Sequence, residues 1–266
     1  MNNPRFSIIT ITFNSGRTVE RTLKSVLAQS YTDFEYIIVD GASKDSTMEI
    51  VRKYEPLFDG RMKVKSEPDK GIYDAMNKGI LRSMGTVIGI VNSDDWLEPD
   101  ALENVNRVFE ENGCSEDMIY TGGIRFHKDN GDVTDLYPNI NLFNKKAQEY
   151  IMAGIRHPAT FVPKSIYNKI GSFDTRIVIM ADTDFLLRAY YKHIRILPIE
   201  KIVSNMADGG LSNLLTWKVG KRSFEDKKIM LSKFTMSSPK RHYILLKALG
   251  IIMAKRTVFK AFIKHK

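Results

Sequence analysis

Apolar and polar positions divide this chain into a first stretch where strands alternate with helices and a later stretch where they do not. Phe6–Phe13 (FSIITITF) is rich in β-branched and aromatic residues and breaks at Asn14-Ser15-Gly16, which predicts a strand and a turn. Val19, Leu23, Val26 and Leu27 recur at helical spacing within Thr18–Ser30. Phe34–Val39 predicts a second strand, ending in the polar loop Asp40-Gly41-Ala42-Ser43-Lys44-Asp45-Ser46. Asp45 or Ser46 can cap the helix that runs on to Phe58. Met62–Val64 predicts a third strand, Glu67-Pro68-Asp69-Lys70-Gly71 a turn, and Ile72–Ser83 a helix. Val87–Val91 is apolar without polar alternation, the pattern of a strand covered on both faces. It runs straight into Asn92-Ser93-Asp94-Asp95-Trp96, a turn with two adjacent carboxylates. Pro99 sits near the start of a helix to about Glu111.

Strands that alternate with helices predict a parallel sheet with helical crossovers. All four strand-end loops then lie on one edge, where open α/β sheets bind ligands. After Glu111 the pattern changes. Met118–Phe126 and Val133–Tyr137 flank a hairpin-like turn at 128–132. A helix is expected over Asn141–Met152, an extended segment over Ile155–Phe161, and a short helix over Lys164–Ile170, ended by Gly171. Asp182–Tyr191 predicts a helix with Asp182 and Asp184 in its first turn. Ile194–Val203 reads as one or two strands split at Pro198, and Asp208-Gly209-Gly210-Leu211-Ser212 as a flexible loop.

Composition narrows the picture. With 266 residues, 43% hydrophobic and 27% charged, the chain can bury a sizeable core. The single cysteine, Cys114, excludes an intramolecular disulfide and a Cys-based zinc site and favours a reducing, cytoplasmic setting. No signal-peptide pattern opens the chain, and no apolar run reaches the ~18 residues that span a bilayer. The net charge of +9 is uneven: residues 227–266 hold eleven Lys or Arg and no Asp or Glu. The preceding body is close to neutral and lacks a recognition motif, which argues against a nucleic-acid partner. In the tail, Tyr243–Ile263 mixes apolar residues with cations, and Arg256, Lys260 and Lys264 form one i, i+4 row. Such a segment predicts attraction to an anionic membrane surface; the alternative is a helix packed on the domain with a solvated basic face.

Adjacent carboxylates repel, and become favourable when a divalent cation sits between them and a phosphate. Five segments carry a resemblance: ITITFN at 9–14, VDGASKDST at 39–47, EPDKGIYDAMNKGI at 67–80, VNSDDW at 91–96 and ADTDFLLR at 181–188. Over roughly residues 5–212 the chain resembles a family-2 glycosyltransferase of the GT-A fold. Its third segment is similar to the subgroup that builds bacterial capsule, O-antigen and exopolysaccharide. The resemblance implies an α/β, Rossmann-like, mainly parallel sheet with helices on both faces and a C-terminal helical extension. It implies a glycosyltransferase domain over 1–212, with a nucleotide-sugar half (1–100) and an acceptor half (101–212), then a basic extension over 213–266.

The implied reaction moves one sugar from a nucleoside-diphosphate donor to a hydroxyl of a glycan or lipid-linked acceptor, with inversion and a Mn²⁺ or Mg²⁺ ion. The enzyme is then expected at the inner face of the cell membrane. By the same resemblance Asp95 binds the metal, and Asp94 lies near the metal or the ribose. Asn92 stands where the family often has Asp. Asp40 reads the base, which favours a UDP-sugar, with Thr12 and Phe13 beside it; core packing is the alternative for Phe13. Asp69, Asp74 and Asn77 belong to the donor site, with Met76 where the family has Arg, and Asp74 could instead pair with Lys78. Asp182 is the base, Asp184 is not, and His157 either touches the donor phosphates, the acceptor or the metal, or is structural. The Asp208-Gly209-Gly210 loop is a candidate lid. Two other functions compete. A nucleotidyltransferase would need a Gly-rich, cationic loop where the chain has Asn14-Ser15-Gly16-Arg17. A non-catalytic membrane-associated binding protein would have no use for Asp94, Asp95 and Asp182. No Gly-x-Gly-x-x-Gly follows a strand, which excludes a dinucleotide dehydrogenase.

Overall fold

A computed structural model describes residues 3–208, 217–248 and 250. Its strands are β1 (Phe6–Thr12), β2 (Phe34–Asp40), β3 (Met62–Ser66), β4 (Val87–Ile90), β5 (Trp96–Leu97), β6 (Met118–His127), β7 (Val133–Leu136), β8 (Thr160–Pro163) and β9 (Arg195–Ala207). Its helices are α1 (Val19–Leu27), α2 (Thr47–Tyr54), α3 (Ile72–Arg82), α4 (Ala101–Glu111), α5 (Ile140–Ala147), α6 (Lys164–Ile170), α7 (Ala181–Tyr191) and α8 (Trp217–Ser232). The strands form one sheet in the order β3-β2-β1-β4-β8-β6-β9-β5, and β7 pairs with β6 off this path. β1 is parallel to β2 and β4, and β2 to β3. The second half is mixed: β8 is antiparallel to β4 and β6, β9 is parallel to β6, and β5 is antiparallel to β9.

The two-residue period of the strands sorts side chains into two cores. Phe6, Ile8, Phe34, Tyr36, Ile38, Val87 and Val91 join the apolar faces of α1, α2 and α4. Ile9, Ile11, Ile37, Val39, Ile88 and Ile90 join residues of α3, α5, α6, α7 and α8. Both faces of the central strands are thus covered, which is why the fourth strand reads as unbroken apolar sequence. A Cβ at Gly89 would lie 2.7 Å from the Phe161 ring, so glycine there lets β8 pack across β4.

Two segments differ from expectation. β9 runs unbroken through Pro198, because Pro198 pairs with Thr121 just before register shifts in the β6–β9 ladder, and an irregular step tolerates a missing N–H. His157 begins a one-turn 3₁₀ helix (His157–Ala159) rather than extended chain. The C-terminal segment is packed onto the domain. Met230, Leu231 and Phe234 are buried in the core of the acceptor half, and Ile244 and Leu245 pack against it. Residues between 229 and 245 therefore contribute to that core. Arg256, Lys260, Lys264 and the Gly209–Ser212 part of the candidate lid lie outside the described residues. Among the described residues, no helix is long and apolar enough to cross a membrane.

Candidate active site

Side chains knit the parallel strand ends together. Ser15 and Ser93 hydroxyls are 2.8 Å apart, which joins the β1 and β4 loops. The Ser15 N–H donates to Thr47 (2.7 Å) and the Gly16 N–H to Asp45 (2.9 Å), which ties the β1 loop to the start of α2. Asn14, in left-handed backbone (φ 50), accepts from the Lys44 N–H at 2.9 Å. Asp40 is fully buried. Its Oδ1 accepts from the hydroxyls of Thr12 and Ser43, and its Oδ2 from the Ser43 N–H and the Ser66 hydroxyl. Burial opposes its ionisation, but these donors outweigh it and hold the carboxyl below its usual range. Four donors fill the acceptor capacity of a carboxylate. In this structure Asp40 orders the loop together with Thr12. Phe13 is 65% exposed, which removes core packing as its role. A Cβ at Gly41 would lie 3.2 Å from the Phe13 ring and 2.5 Å from Asp69, so ring, glycine and carboxylate lie side by side. Asp69 also accepts from the Gly71 N–H at 2.8 Å.

The carboxylate pair follows β4. Asp95 is 2% exposed, and its backbone carbonyl accepts from Thr22 at 2.6 Å. Burial, then the charge of Asp94, push its carboxyl up to about 7, against donors from Asn92 and Ala207 and the charge of Arg21. Asn92 Nδ2 donates to Asp95 at 3.0 Å, while Asn92 Oδ1 is buried with no hydrogen-bond partner. An orphan acceptor beside a carboxylate that resists ionisation suits a hard cation, which takes oxygen ligands and keeps places for phosphate and water. Among the described residues, no three His, Cys, Asp or Glu form a metal cage by themselves. Arg21 was missed by sequence reasoning. Its guanidinium lies 3.6 Å over the Trp96 ring and donates to the Asp94 carbonyl at 2.7 Å, which braces the turn.

Two α3 residues take structural places. Asp74 accepts from the Lys70 N–H (3.0 Å) and pairs with Lys78 (3.4 Å), which is the local alternative. The donation from Lys70 leads in holding its carboxyl below the usual range. Asn77 donates to the Phe173 carbonyl (2.8 Å) and accepts from the Phe173 N–H (3.0 Å). Both ends of its amide are committed to Phe173.

Asp182 opens α7. Its Oδ1 accepts from the Thr183 N–H (2.7 Å) and the Tyr73 hydroxyl (3.3 Å), and its Oδ2 makes no hydrogen bond among the described residues. His157 is half-buried and its ring lies 5.6 Å from that of Phe173. Burial lowers its pKa while the charge of Asp182 pulls the other way, so His157 and Asp182 are neighbours. Asp184 is fully buried and pairs with Arg188 (2.9 Å) and Lys233 (2.8 Å). That network ties α7 to the end of α8 and leaves Asp184 a structural residue. Tyr73, Lys233 and Asp226 were also missed, because their partners lie far away in the chain.

A doubly covered sheet thus carries the Asp94-Asp95 pair on a strand-end loop, and Asp182 opens a helix of the second half. The model of the glycosyl transferase family 2 matches residues 7–171, and the chain belongs to that family. A PGL/p-HBAD biosynthesis glycosyltransferase of Mycobacterium tuberculosis is 31% identical over 227 residues, covering 81% of this chain and 82% of the relative. TuaG of Bacillus subtilis, named for teichuronic acid biosynthesis, is 35% identical over 119 residues, 45% of this chain and 46% of TuaG. The crystal structure of S. aureus TarS 1–349 with UDP-GlcNAc superposes with a TM-score of 0.65 at 20% identity, over 92% of this chain and 71% of that one. That likeness supports the fold.

Proposed function

We propose that this glycosyltransferase is inverting and metal-dependent, and moves a sugar from a UDP-sugar to a hydroxyl of a glycan or lipid-linked acceptor in surface polysaccharide synthesis. The observation that carries the proposal is the Asp95–Asn92 pair: a buried carboxyl held at about 7 beside an orphan amide oxygen. Asp95, with Asp94 and Asn92 Oδ1, would hold Mn²⁺ or Mg²⁺. When bound, that ion neutralises the charge that gathers on the departing diphosphate. Phe13 gives the base an exposed ring to stack on. Asp69 and Gly41 lie beside that ring.

Asp182 is the base. Its Oδ2 takes the proton of the acceptor hydroxyl as that oxygen attacks the anomeric carbon from the face opposite the diphosphate. The bond to the diphosphate oxygen breaks, and its electron pair leaves with the diphosphate. His157, neutral beside Asp182, closes the acceptor side. A UDP character of the donor is supported by the UDP-GlcNAc named for the TarS complex, and surface polysaccharide by the name of TuaG.

The C-terminal segment meets the membrane surface. On its helix, Tyr243 and Leu246 are 65% and 66% exposed, close in sequence to Lys240, Arg241 and Lys247. Vesicle flotation with and without anionic lipid tests this reading, and equal flotation would sink it. The main test is turnover of a UDP-sugar panel with Mn²⁺ or with EDTA. Metal-dependent release of UDP, lost in Asp95→Asn and Asp182→Asn, is expected; undiminished turnover in EDTA would refute the metal, and undiminished turnover in Asp182→Asn the base.

A further inference from the structure

Asp182 lies at the end of an irregular stretch, residues 171–180, which has neither helix nor strand. No ladder of backbone bonds fixes such a stretch, yet a base displaced by about 1 Å can cost on the order of a hundredfold in rate. Side chains from two helices supply the missing bonds. Near one end of the stretch, Asn77 of α3 clamps both backbone groups of Phe173. At the other end, Asp226 of α8 accepts from the N–H of Val178 (3.1 Å) and of Ile179 (2.7 Å). The single proton of the Tyr73 hydroxyl, also on α3, is shared between the carbonyl of Ile179 at 2.9 Å and Asp182 Oδ1 at 3.3 Å. Ile179 is therefore held through its N–H by α8 and through its C=O by α3, three residues before the base.

Each anchor is rigid in its own right. Tyr73 and Asn77 are four apart and share one face of α3. That helix is seated closely on β1: a Cβ at Gly79 would lie 2.5 Å from Ile9 Cγ2. Tyr73 is 8% exposed, and its ring packs 5.5 Å from that of Phe173. Asp226 is 0% exposed, and α8 is fixed further by Arg222, which donates to the Arg176 carbonyl at 2.6 Å.

We propose that Tyr73 and Asp226 are positioning residues for glycosyl transfer. Together they pin Ile179 from two sides, so that Asp182 presents Oδ2 to the acceptor while Oδ1 stays bound to Tyr73 and the Thr183 N–H. The proposal rests on Asp182 as the base. It makes α8, which lies beyond the 7–171 stretch matched by the family, a working part of the site. It also gives α3 two roles, since its first turn adjoins the donor-side loop while its inner face holds the acceptor-side base in register with that loop.

The test is steady-state kinetics of the full chain with Mn²⁺ on the UDP-sugar that the wild type turns over, beside calorimetric titration with UDP. Tyr73→Phe removes one oxygen and keeps the ring; Asp226→Asn keeps the side-chain shape. Each is expected to lower kcat by about 10- to 100-fold, with donor KM and UDP affinity within about twofold of wild type. Lys228→Ala, on the solvent side of α8, leaves both unchanged. Residues that act through Asp182 lose their effect once it is gone, so Tyr73→Phe/Asp182→Asn should be no slower than Asp182→Asn alone. Wild-type kcat in Tyr73→Phe, or losses that multiply in the double variant, would overturn the positioning role. Should Asp226→Asn fail to fold, Tyr73→Phe decides. Full activity in Asp182→Asn would instead sink the base assignment, whatever the other variants do.

Discussion

Lys227 offers a quantitative check on how α8 is seated. The residue is 7% exposed, its ammonium donates to the Tyr150 carbonyl, and burial alone lowers its pKa from 10.5 to about 8. At about 1.4 kcal/mol per tenfold change in proton affinity, that gap costs the folded state about 3 kcal/mol at pH 7. Between pH 8 and 10.5 the unfolded chain keeps a proton that the folded chain has lost, so stability from this group rises with pH across that window and is lowest below it. Lys227→Met keeps the length and apolar bulk and removes the charge. It also strips the Tyr150 carbonyl of its donor, which costs about 1–2 kcal/mol. The variant is therefore expected to be more stable than wild type at pH 7 by about 1–2 kcal/mol. By pH 10 that advantage should shrink by about 2–3 kcal/mol, leaving the variant equal to or weaker than wild type. Urea unfolding followed by circular dichroism at the two pH values gives both differences. An identical difference at pH 7 and pH 10 would refute a buried, low-pKa lysine and with it the close seating of α8 on Tyr150.

Three further outcomes are expected. Phe13→Ala should weaken UDP binding by about 1–3 kcal/mol, the worth of stacking on one base, and leave the melting temperature unchanged because the ring is 65% exposed; unchanged UDP affinity would remove the platform. Asp184→Asn removes the carboxylate shared by Arg188 and Lys233, which keep three backbone carbonyls and Asp174 respectively, and should cost about 1–3 kcal/mol in urea unfolding; no measurable loss would count against the network. Mn²⁺ should raise the melting temperature of the wild type in the presence of UDP, and Asp95→Asn should abolish that rise; an equal rise in both would place the cation elsewhere.

Much of the donor half was legible because its signals are local. Unbroken apolar runs at Phe34–Val39 and Val87–Val91 mark strands covered on both faces, and the period of two sends Ile8 and Ile9 into different cores. Polar strand ends in a parallel sheet share one edge whatever the tertiary detail. That placed Asp95 and Phe13 on the ligand side without any contact being known. The same logic could not tell an open carboxylate from a saturated one. Asp40 ends a buried strand and Asp95 follows one, but Asp40 collects four donors from Thr12, Ser43 and Ser66, whereas Asp95 lies beside an orphan oxygen. Donor number depends on where neighbouring loops cross, and the hydroxyl of Ser66 comes from 26 residues away.

The acceptor half was less legible because long-range pairs build it. Asn77 and Phe173 are 96 residues apart, Tyr73 and Asp182 are 109 apart, and Ile179 and Asp226 are 47 apart. Helical spacing puts Asp74 and Asn77 on one face of α3, but only the docking of the second half makes one a surface pair and the other a clamp. The basic tail shows the same limit from the opposite side. Its charge count does not say how the segment packs, whereas Asp226, Lys227, Met230 and Leu231 recur at three to four residues and form an inward stripe with buried charges inside it. A buried Asp or Lys within an apolar stripe is costly unless it meets a partner. On α8 those partners are Arg222 and the backbone groups of Val178, Ile179 and Tyr150, so the C-terminal segment holds the stretch leading to Asp182.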